Sequence, residues 1–457
     1  MYNKKIYIVL VTLLMITVVS FNISAEELNL NQAVDTFIEN SSQLENAKKD
    51  IESSEIDLKL AKKGKAFEVN LQSSYTRLGE APQTPSKYLY ESTQIAPNTF
   101  VGEMYPIEFQ ELSKDNYNTS LSISKPLYLG GKVKNSIELS ERSVTLNELK
   151  YEQTLNQNLN TVVQSYFNVL IKESILSIQE SSLELVKSHL ESVQKNYEAG
   201  LVVQSDVNEV QIELNKTRQA ILTAENELKV AKKRFSDLLE LENTDFTLKQ
   251  PESINIEENL DTQLKKAYSN RFEVLSLSLN KEMQEFNKKL EDTLYKPSLI
   301  LQGNYSSQGD SIDFTDGDFS LTLSGSVPLY DGNKSELKQE KIDIEQSKID
   351  NNEKQLKNNI ETEIMAALYK IDENRESLEI ANQNEKQALE NLEQAQRRFD
   401  NGVGTSREVL RAETNLNQIQ ISKNQTYYQY LMSKYNLLYQ TGTLNKYFGE
   451  VINNESK

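Results

Sequence analysis

The sequence contains no cysteine and no tryptophan, a single histidine, and only 15 glycines and 8 prolines in 457 residues. Lack of cysteine excludes disulfides, thiolate chemistry, Cys-ligated zinc and a lipid-bearing N-terminal cysteine. Positive charge is also scarce, with 50 Lys and Arg against 68 Asp and Glu for a net charge of -18. That argues against nucleic acid as a partner, because a phosphate backbone needs a basic footprint. Few breakers, 26% charged residues and a mean hydropathy of -0.59 leave two classes, a disordered chain or one built from long helices.

The long apolar run lies at the start. Residues 1–25 read as a secretory signal peptide, with basic Lys4 and Lys5, an apolar core over residues 6–21 and a small-residue exit at Ser24-Ala25. The alternative, a retained membrane anchor, needs a longer core. No other segment is apolar enough to span a membrane as a helix.

What is present is an internal repeat. The run Ser124-Lys125-Pro126-Leu127-Tyr128-Leu129-Gly130-Gly131-Lys132 recurs from Ser326 as Ser-Val-Pro-Leu-Tyr-Asp-Gly-Asn-Lys334, an offset of 202. Tyr197-Glu198-Ala199-Gly200-Leu201-Val202 recurs as Phe399-Asp400-Asn401-Gly402-Val403-Gly404 at the same offset of 202. Upstream, Leu30 aligns with Leu260 and Tyr75 with Tyr305 at 230, so the first copy carries 28 extra residues (230 minus 202). They fall in residues 79–116, which hold Pro82, Pro85, Pro97 and Pro106 and read as a long loop.

The predicted first repeat, residues 26–250, runs helix, β-hairpin 67–128 containing loop 79–116, long helix 132–199 and helix 204–239. The second, residues 251–447, runs helix 261–294, β-hairpin 298–329, long helix 333–401 and helix 406–441, with a C-terminal tail at 448–457. In the long helices apolar residues recur at heptad spacing, as in Ile349, Leu356, Ile360, Ile364, Ala367 and Ile371. That makes one narrow stripe against a neighbouring helix and leaves the remaining surface polar. A tunnel wall or a solvated coiled coil fits such rods; a filled globule does not.

The strands alternate with period two. Phe67, Val69, Leu71 and Tyr75 interleave with Glu68, Asn70, Gln72 and Ser74, and Phe319, Leu321 and Leu323 with Ser320, Thr322 and Ser324. An ordinary half-buried sheet needs a core partner that narrow helical stripes do not offer. Apolar-out, polar-in strands of about ten residues match a transmembrane barrel. Four strands leave two open edges, which lipid does not tolerate, so several copies must pool strands. The fold class predicted is mainly α with a transmembrane β part, from a duplicated unit of long coiled-coil helices plus a β-hairpin.

The signal sequence, the duplicated layout, the Pro-Leu-Tyr-x-Gly-Gly/Asn-Lys junctions, the Tyr-x-x-Gly-Leu-Val turn and the ending from Tyr430 to Leu444 resemble the outer membrane efflux protein family, the TolC type, over residues 28–447. The resemblance implies a homotrimer with a 12-stranded β-barrel in outer-membrane lipid and an α-helical periplasmic tunnel. It implies an exit duct of a tripartite efflux or type I secretion system, without cofactor or catalysis. Its partners would be a periplasmic adaptor (membrane fusion) protein and an inner-membrane transporter. Drugs, metal ions and proteins are all cargo in the family, and these residues do not distinguish them. A periplasm-spanning or surface coiled-coil protein is the alternative; it has no use for the amphipathic hairpins.

Glycine suits a reversal between long helices because it accepts positive φ. The turns Gly200, Leu201, Val202 and Gly402, Val403, Gly404 are the expected adaptor contacts, as the periplasmic tips are in the family. The resemblance places the pore constriction at Ser205, Asp206, Glu209, Phe399, Gly404, Glu408 and Arg411. There the family has a tyrosine three before the second turn glycine and an arginine two after it, which bond a Thr-Asp pair after the first. Ser205-Asp206 preserves that pair, whereas Phe399 and Gly404 replace the tyrosine and arginine and lack side-chain donors. The family's two aspartates, six and nine after the second glycine, become Glu408 and Arg411, one helical turn apart and able to pair. Arg407 or Arg411 is the candidate substitute latch.

No catalytic or metal-binding constellation is found. His189 reads as a surface residue of the first long helix, and Asp310, Asp313, Asp316 and Asp318 as a solvated hairpin tip. Gly332-Asn333-Lys334-Ser335 is not a phosphate loop, because the motif's first glycine is Val327 here.

Overall fold

The computed structural model describes residues 26–455; the expected signal peptide, 1–25, lies outside them. In chain order the elements are β1 (Glu26–Leu28), α1 (Leu30–Asn40), α2 (Ser42–Lys62), β2 (Glu68–Arg77), β3 (Gln83–Ala96), β4 (Thr99–Glu111) and β5 (Asp115–Leu129). Then come α3 (Lys132–Glu198), α4 (Gln204–Leu238), β6 (Phe246–Leu248), α5 (Leu260–Asn270) and α6 (Phe272–Asp292). The chain ends with β7 (Ser298–Gly309), β8 (Gly317–Ser326), α7 (Lys334–Asp400), α8 (Ser406–Gln440) and α9 (Leu444–Glu455). The duplication is visible in the bounds: α3 and α7 have 67 residues each, α4 and α8 have 35.

The chain divides into two units. One comprises Asp50–Asn147 and Leu277–Asn352; the other comprises, of the described residues, 26–49, Glu148–Ser276 and 353–455. In the first unit β2, β5, β7 and β8 form one antiparallel sheet in that order, with β2 and β8 at its edges. Its register sorts the side chains into two rows. Leu71, Leu121, Tyr305 and Phe319 lie opposite one another in turn, and one residue along, Asn70, Ser122, Asn304 and Ser320 do the same. The apolar row is exposed except at the half-buried Tyr305, Leu71 by 67% and Phe319 by 72%. Apolar side chains on an uncovered face are costly in water and stabilising against lipid.

Residues 79–116, expected to be a loop, instead form the antiparallel β3·β4 hairpin. Only Pro85 and Pro106 fall within the strands, and each strand of a two-stranded ribbon is an edge, where proline costs no ladder bond at a position whose nitrogen faces away from the partner. Pro85 sits at a register shift, and Pro97 precedes the turn residue Asn98, at φ 65°. The hairpin 298–329 keeps its strands only to Ser326, and Leu329 beyond it is 91% exposed. Helix 261–294 is likewise two helices, broken at Arg271, just as α1 and α2 break at Ser41; both residues are extended.

In the second unit the largest apolar cluster gathers α1, α3, α4, α8 and α9 around Phe37, Tyr166, Phe167, Phe235, Tyr435 and Phe448. The expected tail is helical as far as it is described: α9 runs to Glu455, and Phe448 is buried and stacked on Tyr435. Tyr166 donates to the Leu28 carbonyl at 3.0 Å and contacts the Lys249 carbonyl, pinning the parallel β1·β6 pair. No helix among the described residues is long and apolar enough to cross a membrane.

Candidate functional site

The two turns that reverse the long helices share one construction. At the end of α3, Gly200 takes φ +73°, its N–H donates to Tyr197 O at 2.9 Å, and the Leu201 N–H donates to Asn196 O at 2.8 Å. At the end of α7, Gly402 takes φ +72°, its N–H donates to Phe399 O at 3.0 Å and the Val403 N–H to Arg398 O at 3.0 Å. Helix ends of this kind place glycine in the left-handed region and satisfy the last carbonyls. Each turn presents an apolar side chain outward, Leu201 at 74% exposed and Val403 at 70%.

Beneath the turns α3, α4, α7 and α8 share an apolar cluster that includes Val193, Val210, Leu392, Phe399 and Val409. Phe399 is buried in it, its ring 5.3 Å from that of His189 at 66°. His189 is thus a core residue and not a surface one, 6% exposed, with Nε2 3.0 Å from Ser406 Oγ. Burial pushes its pKa down, against the opposing influence of the Ser406 hydrogen bond. The signal was legible: His189 stands beside Leu190 and four before Val193, flanking the heptad stripe.

The other expected constriction residues divide. At Gly404 a Cβ would lie 2.9 Å from Arg398 Cβ and from Phe399 N, so this turn has no room for a side chain there. Asp206 caps its own helix, accepting from the Val203 N–H at 3.2 Å, and Ser205 is exposed. Glu408 lies 3.7 Å from Arg398 Nη2 and not against Arg411, the partner the helical spacing suggested. Arg411 is exposed. Arg407 binds Glu209 with both carboxylate oxygens, at 3.0 to 3.2 Å, and its charge is favoured first by Glu209 and then by Asp206.

The profile described as outer membrane efflux protein matches residues 33–239 and 264–443, covering both repeats. The chain belongs to the outer membrane efflux protein family. Among curated proteins it is 22% identical over 326 residues to outer membrane protein TolC of Vibrio cholerae serotype O1, covering 68% of this chain and 73% of that one. Among solved structures it is similar to the CusC transmembrane channel, with TM-score 0.73, 16% identity and coverage of 90% and 92%. It is also similar to the Campylobacter jejuni CmeC outer membrane channel, with TM-score 0.72, 17% identity and coverage of 94% and 89%. Members of the outer membrane efflux protein family are channel proteins rather than enzymes, and this chain is an outer-membrane exit duct for efflux. No cluster of three or more potential metal-ligating acidic or histidine side chains is found among the described residues.

One residue at this site was not singled out from the sequence, although it stands at core spacing between Val409 and Leu416. Glu413 on α8 is 2% exposed, and neither carboxylate oxygen has a hydrogen-bond partner. Burial pushes its carboxyl up to about 7, with Glu213 on α4 adding to the effect. In the sequence it is one of many glutamates.

Proposed function

We propose that three copies assemble through sheet edges and helices into one duct. Each contributes β2, β5, β7 and β8 to a 12-stranded barrel in outer-membrane lipid, with the long helices forming a periplasmic tunnel. The observation that carries this is the sheet itself: an exposed apolar face, a small polar face and two unpaired edges. Lipid accepts that apolar face only if both edges are closed by other strands. A surface or periplasmic coiled-coil fibre gives such a sheet no role.

In this reading Leu201 and Val403 dock the periplasmic adaptor, which links the duct to an inner-membrane transporter. The Arg407–Glu209 pair takes over the family's arginine latch at the entrance, and Glu408 and Arg411 set the charge of the constriction. Substrates pass unaltered. Lack of native cysteine makes the assembly directly testable with Gln72→Cys in β2 and Thr322→Cys in β8. Outer membranes carrying the double variant, treated with a flexible bis-maleimide that each thiol adds to, are expected to give covalent dimers and trimers on denaturing gels. Monomer alone across a range of reagent lengths overturns the shared barrel.

A further inference from the structure

An acid at a core position of a helix bundle, with both oxygens buried and unpartnered, is costly to keep ionised. Glu413 is in that position. It lies on the same face of α8 as Val409 and Leu416, which flank it by four and three residues and are both buried with Val186 and Leu190 of α3 and Val210 and Leu214 of α4. We infer that Glu413 is a proton-binding site whose neutral form holds α8 in its packing against α3 and α4 beneath the turns.

The surrounding charges do not supply a counter-ion. On α4, Glu213 adds like charge and its own oxygen is taken by Lys216 at 3.1 Å, while Glu209 is held by Arg407. On α3, Glu184 holds Lys187 at 2.6 Å, and His189 is engaged by Ser406. On α7, Glu385 holds Lys423 at 2.5 Å, Glu393 holds Arg397 at 2.7 Å, and Lys386 and Glu390 are exposed. On α8 itself Arg411 points to solvent. The remaining way to neutralise the group is a proton.

Because the folded carboxyl titrates near 7, far above an unfolded glutamate, its contribution to stability is complete below the unfolded value of 4.5 and is lost as pH rises through about 7. Deprotonation places a second anion beside Glu213 inside the cluster and loosens α8 below the turns. In the duct reading, on which this last consequence rests, the entrance opens more readily as pH rises.

Infrared spectroscopy and thermal unfolding of the full-length purified protein test the site without any conduction measurement. A protonated-carboxyl band should disappear as pH rises through about 7 in the parent, together with a fall in melting temperature. In Glu413→Gln the band should be absent and the melting temperature flat over the same interval. Should Glu413→Gln fail to fold, Glu213→Gln is expected to shift the titration to lower pH. A band and slope unchanged in Glu413→Gln, or a titration unmoved by Glu213→Gln, overturns the site. Recovery of the alkaline melting temperature on adding Mg²⁺ or Ca²⁺ also overturns it, by assigning the carboxylate to a metal cation. An intact titration with pH-independent conductance in bilayers overturns the coupling to the entrance.

Discussion

Arg407 closes a bidentate ion pair on Glu209, Nε to Oε1 at 3.0 Å and Nη2 to Oε2 at 3.1 Å, and so ties the start of α8 to the start of α4. The two residues belong to different repeats, at the level where the resemblance places the entrance. Exposed ion pairs add little to global stability, so the expected effect is on gating. Arg407→Ala and Glu209→Gln should each raise resting conductance in planar bilayers while leaving the melting temperature nearly unchanged. Raising the salt concentration should weaken the difference, since the pair is exposed. Conductance identical to the parent in both variants removes this pair from the gate.

Restoring the family's arginine should not restore its latch. Any Cβ at residue 404 meets the end of α7, so Gly404→Arg is expected to destabilise the turn by about 1–3 kcal/mol. Gly404→Ala should cost a similar amount, read by chemical denaturation. A neutral Gly404→Ala shows that the turn yields without strain.

Charge selectivity follows from Glu408 and its neighbours. Arg411→Asp should shift the reversal potential under a salt gradient toward cations, and Glu408→Ala should shift it away. Arg398→Gln releases Glu408 from its partner 3.7 Å away and should also favour cations. If none of the three moves the potential, these residues do not line the constriction.

The two faces of β8 should respond oppositely to charge. Leu321→Asp puts a carboxylate on the apolar face, where charges near the bilayer midplane cost about 2–4 kcal/mol for basic residues and less for acidic ones. Thr322→Asp falls on the polar face and should be tolerated. Yield of heat-modifiable protein in outer membranes reads the difference, and equal tolerance contradicts the lipid assignment.

Bulky polar groups at the exposed turn residues should uncouple export without disturbing assembly. Leu201→Glu and Val403→Glu are expected to abolish efflux in cells while the covalent trimer of the cysteine-linked protein still forms. Undiminished efflux means that the adaptor docks elsewhere.

Sequence alone determined the long helices, the two amphipathic strand pairs and their repetition. The offsets of 202 and 230 reappear in the bounds of α3 and α7, of α4 and α8, and of α1 and α5. Heptad spacing at Ile360, Ile364 and Ile371 marks side chains that are fully buried, and the alternation at Leu321 and Thr322 gives the two faces of β8. Those properties are local, set by the periods of helix and strand. The β3·β4 hairpin escaped because proline density marks a loop only where strands have neighbours on both sides. What tertiary structure decided was the partnership of charged and polar side chains across elements. Arg407 meets Glu209, His189 meets Ser406 and Glu413 meets nothing, because residues about 200 apart in the chain come together when the two repeats pack. Helical spacing puts Glu413 on the face of Val409 and Leu416, but whether a glutamate there is paired or buried alone depends on that packing.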